Sequence, residues 1–355
     1  MNTLTSDIKI TKAKTTKIHD VDFDNLKFGH VFSDHMLECN YKNGKWQTPE
    51  IVPYQPITLD PSAKIFHYGQ SVFEGMKAYK DANDDVWLFR PLENFKRLNI
   101  SSKRLAIPEL PEEFFMEGLK TLLRIDSDWI PKMEGSSLYI RPFVFASGNG
   151  FHASPADEYK FIICFAPSGS YFSGKVKVLI EETYSRSANG GVGFAKAGGN
   201  YAGQFYPTQL AVAKGYQQVI WTDDTNHEYI EEAGAMNIFV RINDTLITGP
   251  TSDRILDGIT RKSIIELAKA EGIPVEVRKI TVHEVVDAAK NGTLKEMFGA
   301  GTAAVISPIA GFGYKGTDYD LPELKETYAS YLKKRITDIQ TNKAEDPFGW
   351  RYKVE

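Results

Sequence analysis

One lysine lies between two clusters of glycine in residues 190–203. Lys196 follows the apolar pair Phe194 and Ala195, and Tyr201 comes five positions later. Glycine lets a backbone approach a flat ligand closely, and the apolar neighbours could desolvate the amine. A lysine in this setting is a candidate Schiff-base nucleophile, which suits pyridoxal phosphate. The residues alone also allow a glycine-rich surface turn that carries a solvated lysine.

That cofactor needs an acid for its ring nitrogen and anion sites for its phosphate and for the substrate carboxylate. Glu231 and Glu232 directly precede a predicted strand and could supply the acid. Residues 257–260 begin a predicted helix, whose free N–H groups could donate hydrogen bonds to a phosphate. Arg97 could pair with phosphate bidentately. Residues 299–304 could offer amides to a carboxylate. Each feature also has an ordinary structural interpretation as a solvated turn, an empty helix start or a surface arginine.

Alternating apolar residues and helical spacing predict the elements that must position these groups. The predicted strands are residues 76–80, 86–90, 176–180, 218–221, 237–242 and 245–248. The predicted helices are residues 91–105, 259–270 and a third that begins with a capping box at Thr281 and ends at 291–292. Strands and helices mix without strict alternation, which favours an α+β fold over a Rossmann fold.

The composition changes around residues 166–174, which include Pro167 and are rich in glycine and serine. We therefore predict an N-terminal domain over 1–166, a linker over 167–175 and a C-terminal domain over 176–355. The basic run from Lys9 to Lys17 predicts a flexible tail over about residues 1–20.

The chain has 355 residues, 42% of them hydrophobic, and a formal net charge of -4. This charge gives no reason to expect nucleic acid or an anionic membrane as a partner, and no residue cluster predicts a metal site. No signal-like or membrane-spanning segment is evident, so we expect a cytoplasmic protein. Cys39 and Cys164 are far apart in sequence, which suits a reducing compartment.

Several segments together resemble the branched-chain amino acid aminotransferases, which belong to the fold-type IV class of pyridoxal-phosphate enzymes. They are HYGQSVFEGMKA (67–78), LFRP (88–91), LYIRP (138–142), KAGGNY (196–201), EAGAMN (232–237) and GTAA (301–304). The resemblance covers roughly residues 30–335 and implies the fold of the D-amino acid aminotransferases, a small N-terminal domain and a larger C-terminal one.

The resemblance implies that Lys196 forms an aldimine with pyridoxal phosphate and shuttles a proton between Cα and C4′. Glu232 would bind the pyridine nitrogen and Tyr201 the phenolic oxygen. The implied phosphate ligands are Arg97, the amides of Ile259 and Thr260, and Thr302. The implied reaction is the reversible transfer of the amino group of leucine, isoleucine or valine to 2-oxoglutarate.

The same resemblance places the substrate carboxylate on the hydroxyl of Tyr139 and the amides of Thr302 and Ala303. The implied apolar pocket consists of Tyr68, Phe73 and Tyr171, and Arg141 would capture the distal carboxylate of 2-oxoglutarate. Members of the family are dimers in which the loop equivalent to about 147–153 covers the neighbour's site, so we expect a homodimer.

One departure concerns the redox-active CxxC of the mammalian enzymes, whose positions here are Ala304 and Ser307. A thiol switch at that place is therefore not expected. Two other activities of the fold class, D-amino acid transamination and aminodeoxychorismate lysis, are disfavoured by the YIRP and FEGMKA segments. A non-catalytic cofactor carrier is disfavoured by the pairing of Lys196 with Glu232, because a carrier needs no electron sink.

Overall fold

The computed structural model describes residues 8–169 and 176–355. The chain divides into two compact units. The first unit contains Met1–Tyr171, Ala195–Gly198 and Asp338–Glu355, and the second contains Phe172–Phe194 and Gly199–Thr337. The first crossing between units falls inside the predicted linker, most of which lies outside the described residues. The segment that carries Lys196 and the segment after 338 belong to the first unit, whereas the sequence assigned both to the C-terminal domain.

Nineteen strands and eight α-helices are present in the described residues. The strands are β1 (Lys9–Ile10), β2 (His35–Lys42), β3 (Lys45–Trp46), β4 (Glu50–Pro53), β5 (Ser71–Phe73), β6 (Met76–Lys80), β7 (Val86–Phe89), β8 (Ser137–Ala146), β9 (Tyr159–Ser168), β10 (Val176–Ile180), β11 (Gln218–Thr222), β12 (Ile230–Ala233), β13 (Met236–Ile242), β14 (Thr245–Thr248), β15 (Val275–Val277), β16 (Leu294–Gly301), β17 (Val305–Tyr314), β18 (Thr317–Asp320) and β19 (Arg351–Lys353). The α-helices are α1 (Lys64–Tyr68), α2 (Pro91–Arg104), α3 (Glu112–Ile125), α4 (Gly198–Ala202), α5 (Phe205–Ala213), α6 (Ile259–Ala270), α7 (Val282–Lys290) and α8 (Tyr328–Gln340).

The first unit is built on one sheet with the strand order β1-β4-β2-β9-β8-β6-β7-β19, to which β3 and β5 add at the side. Helices α2 and α3 bury their apolar faces against it, because apolar side chains recur at helical spacing, as do Phe95 and Leu98 of α2 and Phe115, Leu119 and Leu122 of α3. Phe115 of α3 lies 5.6 Å from Phe95 of α2 and 6.0 Å from Phe161 of β9, measured between ring centroids. This core fixes α2 beside the strands that carry the functional residues.

Residues 8–20 pack against the first unit, so the expectation of a flexible tail up to residue 20 needs correction. Ile8 is buried, and β1 pairs in parallel with β4. The backbone N–H of Ala13 donates to the ring of His35, and that of Lys17 donates to Asp34. The basic residues suggested a solvated tail, but the backbone of this segment bonds to the first unit, and Lys9 Nζ also lies 3.7 Å from Glu50 Oε2.

The second unit contains a sheet that closes on itself. Its strand order begins β12-β11-β10-β17-β16-β13, and β13 also pairs with β12, so these six strands form a ring. Strands β14, β15 and β18 extend the sheet beyond the ring. The core contains Val178, Ile220, Val240 and Phe312 together with apolar residues of α7. Consequently β12, which carries two glutamates, is paired along both of its edges.

The predicted elements are present with small differences at their ends. The hairpin of β6 and β7, helix α2 beginning at Pro91, and the hairpin of β13 and β14 were all predicted. The capping box is confirmed on one side, since the Thr281 side chain accepts a hydrogen bond from Glu284 N. The mixture of strands and helices confirms the α+β prediction. No helix in the described ranges is both long enough and apolar enough to cross a membrane.

Candidate active site

Lys196 is held in the first unit through its backbone. Its N–H donates to Ser101 Oγ at 2.9 Å, and its carbonyl accepts from Phe73 N at 3.0 Å. The ammonium lies over the ring of Phe73, with Nζ 4.8 Å from the ring centroid. A Cβ at Gly198 would lie 2.8 Å from Ser71 Oγ, so a glycine is needed for this segment to approach β5. The lysine is therefore fixed at its Cα, and its amine rests on an aromatic face.

Next to Phe73 is a fully buried carboxylate, Glu74. Arg97 of α2 donates to it bidentately, from Nε to Oε1 at 2.7 Å and from Nη2 to Oε2 at 2.9 Å. Asn94 Nδ2 adds a third hydrogen bond at 2.7 Å. Burial raises the pKa of Glu74, but Arg97, Lys196 and Asn94 together hold it below its ordinary value. Asn94, Arg97 and Ser101 share one buried polar stripe of α2, so a single helix positions both the carboxylate and the lysine.

Strand β8 places Tyr139 and Arg141 on the same face, because alternate residues of a strand point the same way. Arg141 Nη2 donates to the Tyr139 hydroxyl at 3.0 Å. The guanidinium carbon lies 4.7 Å from the ring centroid of Phe73 and 5.3 Å from that of Tyr139. Arg141 Nε is buried and has no hydrogen-bond partner among the described residues. A Cβ at Gly75 would collide with the Tyr139 hydroxyl, so this position requires glycine.

Tyr68, at the end of α1, is 43% exposed, and its hydroxyl donates to the carbonyl of Phe151. The loop that carries Phe151 connects β8 to β9 and includes the predicted covering segment 147–153. The buried ammonium of Lys64 donates to Ser154 Oγ at 2.8 Å and to Ser154 O at 3.0 Å in the same loop. Tyr171, the remaining residue expected in the apolar pocket, lies outside the described residues.

In the second unit, Glu232 is 2% exposed and lies in β12. Its Oε2 is 2.7 Å from Arg186 Nε, and its Oε1 accepts from Leu256 N at 2.7 Å and from Asn237 Nδ2 at 3.3 Å. Arg186 Nη1 also donates to the carbonyls of Gly193 and Arg254, at 3.1 and 2.6 Å. The carboxylate is thus held as an ion pair by partners that are themselves anchored.

Glu231, the adjacent residue, occupies a different environment, since successive residues of a strand face opposite sides. It pairs with Arg254, whose Nη1 also donates to Asp224 at 2.9 Å. Burial raises the pKa of Glu231 above its ordinary value, although Arg254 opposes the shift. Residue types alone left both glutamates open and the family resemblance selected Glu232, whereas in the structure the two have different partners.

Helix α6 begins with Ile259 and Thr260, both of which are buried. No side chain caps this helix start, and its N-cap residue is Gly258. A Cβ at position 258 would collide with Asn237 Oδ1, so the helix start approaches the residue that also contacts Glu232. Asn237 in turn pairs with Ala300 in β16. Glu232, the helix start and the end of β16 are therefore neighbours.

The remaining predicted residues of the second unit are half-buried. Thr302 and Ala303 lie in the turn that joins β16 to β17, and Tyr201 lies in α4.

Arg261, in the first turn of α6, is buried, and burial lowers the pKa of its guanidinium. Its Nη2 donates to Gly249 O at 2.7 Å, while its Nε has no partner in the described chain.

These features fit pyridoxal phosphate in each unit considered by itself. The uncapped, buried start of α6 has the N–H groups that a phosphate requires, because the first N–H groups of a helix have no acceptor within it. Glu232 supplies a buried carboxylate suited to a protonated ring nitrogen. In the first unit, Lys196 offers an amine fixed at its backbone, and the buried Nε of Arg141 offers a donor for a carboxylate.

Sequence reasoning missed five residues that the structure associates with these sites. They are Phe28, Glu74, Ser101, Arg186 and Asn237. Glu74 and Asn237 were inside quoted motifs, and a charged or amide residue in an apolar motif is a signal that it has a buried partner. Phe28, whose ring lies 4.8 Å from that of Tyr139, and Arg186 are distant in sequence from their partners, so no local pattern marks them.

Comparison with protein families gives a match over residues 60–312 to the model described as amino-transferase class IV. Among curated proteins, the chain is 45% identical over 353 residues to branched-chain-amino-acid aminotransferase 2 of Bacillus subtilis strain 168. The alignment covers 98% of this chain and 96% of that protein.

Solved structures of similar fold include branched-chain amino acid aminotransferase from Escherichia coli, with a TM-score of 0.73 and 26% identity, covering 89% of this chain and 99% of that one. Another is the T.th. branched-chain amino acid aminotransferase complexed with N-(5'-phosphopyridoxyl)-L-glutamate. Its TM-score is 0.70 at 26% identity, and the match covers 89% of this chain and 98% of that chain.

Proposed function

Because the chain belongs to the amino-transferase class IV family, we propose that it transfers the amino group of leucine, isoleucine or valine reversibly to 2-oxoglutarate. The products are the branched-chain 2-oxo acids and glutamate, and the cofactor is pyridoxal phosphate. The similarity to the Bacillus subtilis protein supports the substrate class, and the phosphopyridoxyl-glutamate complex of the T.th. protein supports both the cofactor and the second substrate.

When bound, pyridoxal phosphate supplies an electron sink for the charge that develops at the substrate Cα. We propose that Lys196 Nζ would hold the cofactor covalently and, once released from it, would take up and return the proton of the substrate Cα. The Phe73 ring beneath Nζ excludes water on that side and attracts the amine when it is protonated. Glu232 would hold the ring nitrogen of the cofactor, and its carboxylate is kept in place by Leu256 N and Arg186.

We assign the other cofactor contacts from the same resemblance. Ile259 and Thr260 present the N–H groups at the start of α6 to the phosphate, with Thr302 beside them. Tyr201 holds the phenolic oxygen. Arg97 is also a proposed phosphate ligand, and its bidentate bond to Glu74 fixes the orientation of its guanidinium.

The observation that carries the proposal is the environment of Arg141. An aliphatic side chain gains free energy by covering the rings of Phe73 and Tyr139, whereas a distal carboxylate needs a cationic donor. Arg141 lies against both rings and has a buried Nε without a described partner, so one place provides an apolar wall and an anion site. Tyr68 and Tyr171 are proposed to complete the apolar wall, and Ala303 N to help hold the substrate carboxylate.

A substrate panel tests this function. Purified protein with pyridoxal phosphate and 2-oxoglutarate is mixed with each common L-amino acid and with D-alanine, and glutamate formation is measured. We expect leucine, isoleucine and valine to react fastest. Preferred use of D-alanine, or no transfer to 2-oxoglutarate, would contradict the proposal.

Two variants test how the pocket serves both substrates. Arg141→Gln should lower kcat/KM for 2-oxoglutarate by about 10- to 100-fold, the usual loss for a charged hydrogen-bonding partner, and change the leucine half-reaction much less. Arg104→Gln, at an exposed arginine of α2, is the matched control. Equal losses in both half-reactions with a lower Tm would show that Arg141 supports only the fold.

Borohydride reduction tests the assignment of Lys196. The holoenzyme should retain the cofactor covalently, and a peptide map should place it on Lys196. Lys196→Ala should bind cofactor through its phosphate but lose nearly all turnover. A label on another lysine would contradict the assignment.

We also propose a homodimer in which the loop over 147–153 covers the partner's site. Phe151 of this loop is 71% exposed and Phe66 of α1 is 61% exposed, and both offer apolar surface for a second copy. Light scattering should give twice the chain mass, and a monomer that is fully active would contradict the assembly.

The cytoplasm is the proposed compartment, because Cys39 and Cys164 are free thiols.

A further inference from the structure

Residues 17–34 form a loop whose two ends lie side by side on the first unit. Between the ends, Ile18, Val21, Phe23 and Val31 pack half-buried against the core of that unit. The N–H of Lys17 donates to Oδ1 of Asp34 at 2.9 Å. Just outside these two loop ends, the N–H of Ala13 donates to Nε2 of His35 at 2.8 Å. Two hydrogen bonds thus close the neck of an Ω-shaped loop. We call residues 17–34 the N-terminal loop and these two bonds its neck.

The acceptors of the neck are buried polar side chains whose own positions are fixed. Asp34 is 7% exposed, and its Oδ2 accepts from Trp129 Nε1 at 3.0 Å. Burial raises the pKa of Asp34, but bonds from Thr16, Lys17 N and Trp129 bring it below its ordinary value. A buried carboxylate that accepts several donors is costly to separate from them.

The second hydrogen bond of the neck depends on one tautomer of His35. Its Nδ1 is 2.6 Å from Asp126 Oδ1, and Asp126 Oδ2 accepts from His35 N at 3.0 Å. Because Nε2 accepts the hydrogen bond of Ala13 N, the ring proton lies on Nδ1 and points to Asp126. Asp126 follows α3, so the neck is fastened to the body of the first unit.

The tip of the N-terminal loop contacts the proposed substrate site. The ring of Phe28 meets that of Tyr139 edge to face, with centroids 4.8 Å apart. Tyr139 in turn accepts a hydrogen bond from Arg141. Phe23, nearer the neck, lies 6.5 Å from Trp129 between ring centroids. Movement of the neck would therefore change how firmly Phe28 supports Tyr139.

We propose that the N-terminal loop is a lid whose neck, made by Asp34 and His35, holds Phe28 against Tyr139. Asp34 and His35 are positioning residues for the substrate-carboxylate edge of the site. The inference rests on the proposed function only for the role of Tyr139. When the neck opens, the tip moves away, Tyr139 loses its support, and both substrates bind more weakly while the chemical step is unchanged.

Limited digestion with trypsin tests the neck without any substrate. Lys17 and Lys27 are exposed cleavage sites in the loop. Asp34→Asn removes the charge and replaces one carboxylate oxygen by an N–H₂ group, so the three donors to Asp34 can no longer all be satisfied. Cleavage after Lys27 should therefore be about tenfold faster. Lys17→Pro removes the other partner of the same bond at an exposed position and should act alike. Asp20→Asn, an exposed acid of the same loop, should digest like the wild type.

Steady-state kinetics of the holoenzyme test the link to the site. Asp34→Asn and Lys17→Pro should raise KM for leucine and for 2-oxoglutarate by about three- to tenfold and keep kcat within about twofold. Phe28→Leu should raise both KM values by a similar factor, while its rate of digestion by trypsin should equal that of the wild type. In the double variant Asp34→Asn/Phe28→Leu, KM should equal that of Phe28→Leu, because the neck acts through Phe28.

Unchanged digestion of both neck variants would overturn the neck. Faster digestion with unchanged KM, or additive effects in the double variant, would overturn the connection to Tyr139. Failure of the wild type to transaminate would instead end the proposed function, while the digestion rates would still decide whether the neck holds the loop.

Discussion

Two buried glutamate–arginine pairs, one in each unit, have the same chemistry but different surroundings. Arg97 directs two donors at Glu74, and Asn94 adds a third hydrogen bond to that carboxylate. Arg186 Nε lies 2.7 Å from Glu232 Oε2, and Arg186 directs Nη1 at two backbone carbonyls. The first guanidinium thus makes a bidentate bond to its carboxylate, whereas the second also donates to the backbone.

The difference predicts which pair serves stability and which serves chemistry. Removing Glu74 takes away the group that orients a buried cation. Removing the charge of Glu232 leaves Arg186 with two acceptors, so the fold should lose less while the cofactor loses its counter-charge.

The largest effect is expected for Glu232→Gln. The amide keeps the shape but loses the charge that holds a proton on the ring nitrogen, so the leucine half-reaction should slow by about 10²- to 10³-fold. The unfolding free energy should fall by no more than about 2 kcal/mol. Single-turnover spectroscopy and denaturant unfolding measure the two quantities.

Glu231→Gln is the matched control, because it changes the adjacent residue of β12, whose partner is Arg254. Its half-reaction rate should stay close to that of the wild type. An equal loss of rate in the control would show that the charge of the hairpin as a whole, rather than Glu232, is required.

Glu74→Gln should mainly destabilise the protein. Breaking a buried ion pair on one side costs about 3 kcal/mol or more of unfolding free energy, which urea unfolding of the first unit would detect. Glu38→Gln, whose pair with Lys160 is partly exposed, should cost less than about 1 kcal/mol. Equal stability of the two variants would contradict the comparison.

The smallest effect is a difference in pH dependence. The pKa of Glu74 is lowered by Arg97 against the effect of burial, so its stabilising contribution is complete above the unfolded pKa, about 4.3, and is lost as pH falls through the folded pKa. Burial raises the pKa of Glu231, so its ionisation opposes folding as pH rises from about 4.3 through the folded pKa. Unfolding free energies from pH 3 to 7 should therefore show opposite slopes when each glutamine variant is subtracted from the wild type.

Much of the fold was predictable because the signals are local. Pro91 at the first position of α2, the polar turn between β6 and β7, and Thr281 capping α7 each act within a few residues. The fold-type IV class followed from motifs and is confirmed by the family match. The assignment of Lys196 to the first unit was not predictable, because it depends on a hydrogen bond between Phe73 and a segment more than a hundred positions later.

For the site, the sequence indicated residue types but not their partners. It named Arg97 and Glu232, yet the bond from Arg97 to Glu74 and the role of Arg186 depend on how helices and strands pack. The N-terminal loop was missed for a related reason. Its neck is made by backbone N–H groups, which every residue except proline has, so lysine-rich composition alone suggested a tail.

The last strand has a consequence for how the protein is made. β19 completes the sheet of the first unit by pairing with β7, and Asn342 bonds Asp81 across 261 positions of sequence. During synthesis, β7 therefore emerges long before its partner and presents an unpaired strand edge to other chains. The second unit can close its ring during that interval, so we expect the first unit to finish folding last and nascent chains to be most prone to aggregate just before residues 351–353 are added.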